Sequence, residues 1–202
     1  MSLSLRGTAV IAIVLAGAGL VSLLALGLLN KTSVTERSGI TRVQKPAPGF
    51  TLPLLNGGRL EMARLRGQPV VINFWASWCP PCRLEAGLLE RAWRSYKDQG
   101  VMFVGVDIQD TEAEGVAYVE EFDITYPNGL DAEGTITVDY GVIGLPATFF
   151  VNRDGTVERR WVGAIDEARL VTWLDELVAG VALSGHEEGK NLEGFFKLDQ
   201  GD

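Results

Sequence analysis

The longest apolar run comes first: residues 8–29 carry no charged side chain over 22 positions. As a helix this run rises roughly 33 Å, enough to cross a hydrocarbon layer of about 30 Å. It is longer than the apolar centre of a secretory signal, roughly 7–15 residues, and Ala25-Leu26-Gly27 is a poor small-x-small cleavage site. Residues 1–30 are therefore expected to be an uncleaved signal-anchor, with cleavage as the alternative. Polarity then rises abruptly. Residues 31–48 end in Lys45-Pro46-Ala47-Pro48 and read as a tether with little capacity to bury a core.

From residue 49 the pattern becomes that of an alternating α/β domain. Residues 50–54 and 59–61 flank Asn56-Gly57-Gly58 and predict a short hairpin. Residues 69–75 form an apolar, β-branched run of strand length. Residues 83–97 follow with helical periodicity, Leu84, Leu88, Leu89, Ala92 and Tyr96 marking one face. Residues 101–106 return as an apolar strand, 110–122 suit a second helix, and Tyr126-Pro127-Asn128-Gly129 reads as a break. A short helix at 135–140, strands at 147–151 and 156–162 around Asn152-Arg153-Asp154-Gly155, and a helix beginning at Asp166 complete the domain near residue 180. The order predicts a mixed sheet with helices on both faces. Residues 181–202 are Gly-rich and polar and read as a flexible tail.

Charge narrows the partners. The formal net charge is −8 at pH 7, and Arg6 is the sole charged residue in the first 30, so the rest is more acidic still. Nucleic acid, whose phosphates require a basic footprint, is excluded as a partner. Cysteine usage sharpens the chemistry. Both cysteines of the chain fall in Trp78-Cys79-Pro80-Pro81-Cys82, at the junction of the 69–75 strand and the following helix. Two thiols separated by two residues at such a junction read as redox-active. Cys79 is expected at the N-cap, with Pro80 at the first helical position, where a missing N–H costs nothing. The helix end then favours a Cys79 thiolate, and Cys82, one turn on, would resolve the mixed disulfide.

The run Asn73-Phe74-Trp75-Ala76-Ser77-Trp78-Cys79-Pro80-Pro81-Cys82-Arg83-x-Glu85, together with Gly144-Leu145-Pro146-Ala147-Thr148-Phe149 at a distance, resembles the thioredoxin superfamily. Pro146 stands 67 positions after Cys79, and with the anchor this spacing is similar to the TlpA/ResA/CcmG-type thiol-disulfide oxidoreductases. The resemblance implies a thioredoxin-like three-layer fold over residues 49–180, preceded by one transmembrane helix and the hairpin. It implies Cys79 and Cys82 as the catalytic pair and Pro146 as a cis-proline. Leu145 and Pro146 would present backbone groups to a substrate strand, with Trp78, Pro80, Pro81 and Glu85 completing the substrate-binding cleft. Glu85 could equally be a solvated helix glutamate. Asn73 replaces the buried aspartate of plain thioredoxins, which removes a proton acceptor from the strand. Pro-Pro between the thiols withdraws two N–H donors, so Cys79 is expected to be less acidified than in Cys-Gly-Pro-Cys proteins, which favours reduction.

The same resemblance implies a bacterial cell-membrane protein with a single span and its catalytic domain on the extracytoplasmic side. Its partners would be a disulfide-bearing protein, apocytochrome c by analogy, and a transmembrane thiol electron donor. No cofactor or metal is expected. Two other chemistries compete. A copper-binding assembly factor would use the dithiol as a soft site but wants a third ligand, and only His186, Met62 and Met102 offer one. A peroxiredoxin-like peroxidase would need a Pro-x-x-x-Thr-x-x-Cys signature, which the chain lacks. Asp107, Asp110 and Asp131 suggest a cation, but without calcium-loop spacing.

Overall fold

The computed structural model describes residues 41–180, and Gly19 in isolation before them. The anchor, the first part of the tether and the 181–202 tail with His186 lie outside the described residues. Among the described residues no helix is long and apolar enough to cross a membrane.

Six strands form one mixed sheet, in the order β1 (Thr41–Pro46), β8 (Thr156–Val162), β7 (Ala147–Val151), β4 (Val70–Trp75), β5 (Met102–Asp107) and β6 (Asn128–Leu130). The central strand β4 (Val70–Trp75) runs parallel to β5 (Met102–Asp107) and antiparallel to β7 (Ala147–Val151). Every residue of β4 is buried, because both sheet faces are covered. Alternation along it feeds two cores. Val71 and Trp75 face α1 (Pro80–Tyr96), α2 (Glu112–Glu121) and α4 (Glu167–Ala179), while Val70, Ile72 and Phe74 face the other side. That second face is covered by the two-stranded unit of β2 (Thr51–Pro53) and β3 (Arg59–Glu61), a 3₁₀ turn at Met62–Leu65 and the short α3 (Thr135–Asp139). The thioredoxin-like α/β architecture is thus present.

Three sequence expectations are corrected. The tether does not extend to residue 48: Thr41–Pro46 is an edge strand, β1, paired antiparallel with β8 (Thr156–Val162). An edge strand draws its cohesion from main-chain hydrogen bonds, so a single inward Val43 suffices and apolar periodicity is weak. Tyr126-Pro127-Asn128-Gly129 is not only a break, since β6 (Asn128–Leu130) pairs parallel with β5. On α1 the expected inward residues Leu89, Ala92 and Tyr96 are buried, but the first turns present Glu85 to the core in place of Leu84. Leu84 is 82 % exposed and Glu85 lies inside, which the apolar pattern could not have indicated.

Gly129 explains how the other edge is closed. A Cβ there would lie 2.1 Å from Pro53 O and 2.6 Å from Leu52 Cγ, so only glycine lets β2 lie against β6. Gly129→Ala is expected to lower the stability of the domain by about 1–3 kcal/mol through forced displacement of β2. Chemical denaturation would read this, and an unchanged midpoint would show that the contact yields freely.

Candidate active site

The site begins where β4 ends. Its last residue, Trp75, is held in the core by stacking on Tyr118 of α2, with centroids 4.1 Å apart, and its Nε1 donates to Asn128 Oδ1 at 2.9 Å. The chain then turns through residues 76–78 and enters α1 with Cys79 as N-cap and prolines at the first two helical positions. Cys79 and Cys82 are joined by a disulfide. Pro80 and Pro81 carry no N–H, so the first donor the helix end can offer is that of Cys82. That N–H donates to Cys79 Sγ at 3.3 Å. The sulfur at position 79 therefore sits against the free end of the helix, where negative charge is favoured. Exposure is unequal: Cys79 keeps 3 % of its surface and Cys82 none. Access to the bridge is narrow and falls on Cys79.

The second element of the site lies across the sheet. The Leu145–Pro146 peptide bond is cis. Pairing of Ala147 with Phe74 brings Pro146 to the end of the sheet where β4 turns toward Cys79. Pro146 O accepts from Gly163 N at 2.8 Å, and Leu145 packs against the core that contains both cysteines. Trp78 is 56 % exposed, with its indole N–H directed to Gln109 O at 3.3 Å. Pro80 is exposed and Pro81 half-buried. Of the residues singled out from the sequence, Trp78, Pro80 and Pro81 surround the bridge, and Leu145 and Pro146 occupy the same sheet end.

Glu85 is not the solvated glutamate that helix position alone allowed. It is 2 % exposed, one turn beyond Cys82 on the same face of α1. Its Oε1 accepts from Asn73 Nδ2 at 2.9 Å and its Oε2 from Ile165 N at 2.8 Å. Asn73 also donates to Thr148 Oγ1, its register partner on β7, at 3.0 Å. The acceptor missing from the strand is thus supplied from the helix, with Asn73 as its clamp. Burial pushes the Glu85 carboxyl up to about 7, against the opposing hydrogen bonds from Ile165 and Asn73. Burial dominates, and the group titrates near neutrality.

Several contributors had no sequence signal. Tyr118 O–H donates to Cys82 O at 3.1 Å, tying α2 to the first turn of α1. Arg83 Nη1 donates to Ser77 O at 3.3 Å, and the same guanidinium pairs with Glu121 and lies 5.1 Å from the Phe122 ring centroid. Ser77 N and Oγ both donate to Asp110. Except for the local Arg83–Ser77 bond, these contacts span 33 to 39 positions, beyond any local pattern. Met62 and Met102 pack with the core on the opposite sheet face from both cysteines. Among the described residues no group of three or more His, Cys, Asp or Glu side chains is arranged to hold a metal ion.

The chain matches the AhpC/TSA family model over residues 43–160. It is 37 % identical over 139 residues to the thiol:disulfide interchange protein DsbE of Pseudomonas fluorescens biotype C, a match covering 68 % of this chain and 74 % of that one. It is 31 % identical over 135 residues to the thiol-disulfide oxidoreductase ResA of Bacillus thuringiensis subsp. konkukian, covering 67 % and 78 % of the two chains. Among solved structures, a thiol:disulfide interchange protein of the thioredoxin family from Chlorobium tepidum superposes with a TM-score of 0.62 at 26 % identity, over 68 % of this chain and 99 % of that one. A secreted Mycobacterium tuberculosis disulfide oxidoreductase, homologous to E. coli DsbE, does so with 0.59 at 30 % identity, over 63 % and 96 %.

Glu85 has a consequence for stability that can be measured directly. A carboxyl at about 7 in the fold and near 4.5 when unfolded holds a proton that unfolding releases between those values. Its stabilising contribution is complete below about pH 4.5 and is lost as the pH rises through about 7, a span worth about 3 kcal/mol. Denaturation of the oxidised protein across this window is expected to show wild type weakening more steeply than Glu85→Gln. Parallel curves would mean that Glu85 is ionised in the fold.

Proposed function

The chain belongs to the AhpC/TSA family, and on that premise we propose that it is a membrane-tethered, extracytoplasmic reductase of protein disulfides, acting on apocytochrome c or a protein like it. The protein is a thiol-disulfide oxidoreductase. What carries the finer reading is the combination of a bridged Cys79–Cys82 pair at a helix entrance with a buried carboxyl, titrating near 7, one turn behind the inner cysteine.

In the reduced enzyme Cys79 attacks a target disulfide as the thiolate. The target's S–S bond breaks, a mixed disulfide forms on Cys79, and the departing target sulfur takes a proton. Cys82 then gives its proton to the Glu85 carboxylate and attacks Cys79 Sγ. This closes the Cys79–Cys82 bond and releases the second target sulfur as a thiolate. Two electrons have passed from enzyme to target. A dithiol donor, by analogy a thiol protein of the same membrane, returns them by the reverse exchange, in which Glu85 reprotonates the departing Cys82 sulfur. An acceptor near 7 suits both directions, since it exchanges a proton at ambient pH with little driving force wasted. Leu145 and Pro146 offer backbone groups to the target strand, and exposed Trp78 offers it an apolar surface.

Membrane attachment rests on the uncharged run at residues 8–29, and the extracytoplasmic placement on the resemblance to the TlpA/ResA/CcmG-type oxidoreductases. The copper-binding reading is weaker here, because both methionines that could assist the dithiol pack on the far side of the sheet. The peroxidase reading is weaker too, since the bridged neighbours constitute a complete dithiol couple and no peroxidatic signature accompanies them.

Cys82→Ser is expected to accumulate mixed disulfides on Cys79 in intact cells, identifiable by mass spectrometry, whereas Cys79→Ser captures nothing. Absence of any adduct in the Cys82→Ser strain would remove the protein-substrate reading. Glu85→Gln is expected to slow closure of the Cys79–Cys82 bond about 10²-fold and to abolish the rate inflection near pH 7, while leaving formation of the first adduct intact.

A further inference from the structure

Asp107 closes β5 and is fully buried, and neither carboxyl oxygen has a well-formed hydrogen bond, because the one N–H close by, that of Ile108, donates to Trp75 O at 3.0 Å. The fold nevertheless makes room for it. A Cβ on Gly115 of α2 would lie 2.3 Å from Asp107 Oδ2, so the helix carries a glycine where the carboxyl needs space. A buried, unpaired carboxylate is among the most costly groups a fold can contain. The polar side chain beside it is that of Asp110. Asp110 spends both oxygens on the redox loop, Oδ2 accepting from Ser77 N at 2.5 Å and Oδ1 from Ser77 Oγ at 3.0 Å. Two carboxylates cannot hydrogen-bond to each other, whereas an acid and a carboxylate can, because only the protonated oxygen donates.

We infer that Asp107 is held as a neutral acid that donates its proton to Asp110, and that Asp110, so braced, is the positioning residue that sets Ser77 and Trp78 and hence the entry of Cys79 into α1. Burial, Asp110 and Glu114 together push the Asp107 carboxyl up to about 9 against the opposing Ile108 N–H, so the acid form persists at neutral pH. The charged and titratable neighbours are accounted for. Glu114 of α2 is occupied by Thr111 N and Oγ1, Tyr118 of α2 donates to Cys82 O, and Arg83 of α1 reaches the other side of the loop at Ser77 O. Loss of the Asp107 proton removes the donor and sets a buried negative charge against part-buried Asp110, which then withdraws from Ser77. Trp78 reports the change, since its indole N–H is bonded to Gln109 O in the same loop. The effect on exchange rests on the function proposed above; the pair itself does not.

In the oxidised full chain neither cysteine titrates, and Glu85 has lost its proton by about pH 8. The difference in tryptophan fluorescence between wild type and Asp107→Asn from about pH 8 to about 10.5 therefore reads the pair. Wild type is expected to show an inflection near pH 9 that Asp107→Asn lacks, because an amide at 107 donates to Asp110 at every pH. An inflection that survives in Asp107→Asn, or none in wild type, overturns the pair. The equilibrium constant with the glutathione couple at pH 7 then reads positioning. Asp110→Ala is expected to shift it about fivefold or more, and Asp110→Asn, which keeps an acceptor for Ser77, to restore it to within about twofold. Should Asp110→Ala not fold, Ser77→Ala must move the constant in the same direction. An Asp110→Ala or Ser77→Ala constant equal to wild type overturns the positioning role. A wild-type chain that never equilibrates with glutathione overturns the exchange function instead, while the titration still decides the pair.

Discussion

The hydrogen bonds that Glu85 accepts, from Asn73 above all and from Ile165, join the three elements on which the site depends. Asn73 belongs to the central strand, Glu85 to the helix that carries both cysteines, and Ile165, the second donor, to the segment before the last helix. A carboxyl group in that position must be satisfied by donors or neutralised, and here both conditions are met in part. Without the amide of Asn73, burial would leave one oxygen bare. Without the carboxyl, Asn73 would retain only Thr148. The bond therefore fixes the rotation of the helix about its axis, turning Glu85 inward and leaving Leu84 outside. Rotation of that helix is what decides which cysteine meets solvent.

Much of this was legible in the chain, and the reason differs by element. The central strand, the helix start at Cys79 and the 147–162 hairpin announce themselves through local signals: β-branched runs, N-terminal prolines and an Asn-Arg-Asp-Gly turn. Pro146 was visible only through its resemblance, because no property of a Leu-Pro pair dictates its isomer. Thr41–Pro46 and Asn128–Leu130 were hidden because edge strands are held by main-chain bonds and need few apolar side chains. Glu85 was ambiguous for a sharper reason. A buried and a solvated glutamate at one helical position look alike until the distant Asn73 and Ile165 are known to converge on it.

The redox loop is approached by acidic groups from two directions. Glu85 lies behind it, inside the helix face, and Asp110 lies beside it, on the turn after β5. The two are held differently: Glu85 by amide donors from strand and backbone, Asp110 by the serine of the loop itself. Negative charge close to a thiolate opposes its formation, which complements the withdrawal of two N–H donors by Pro80 and Pro81. Both features move the dithiol toward holding its protons and giving up electrons, in keeping with a reductant.

The two faces of the sheet are covered by unequal masses, and that asymmetry has a mechanical outcome. The cysteine side is backed by a helix of 17 residues and a second of 13, whereas the segment leading to Leu145 rests on a helix of five. A single short turn contributes little cooperativity of its own, so this flank is held by tertiary packing, with Ile136 and Tyr140 buried and the Tyr140 ring 5.4 Å from that of Phe74. Ile136 and Tyr140 thus rivet a plate too short to stand alone, and Val138 and Ile143 are the apolar side chains left on its outer surface.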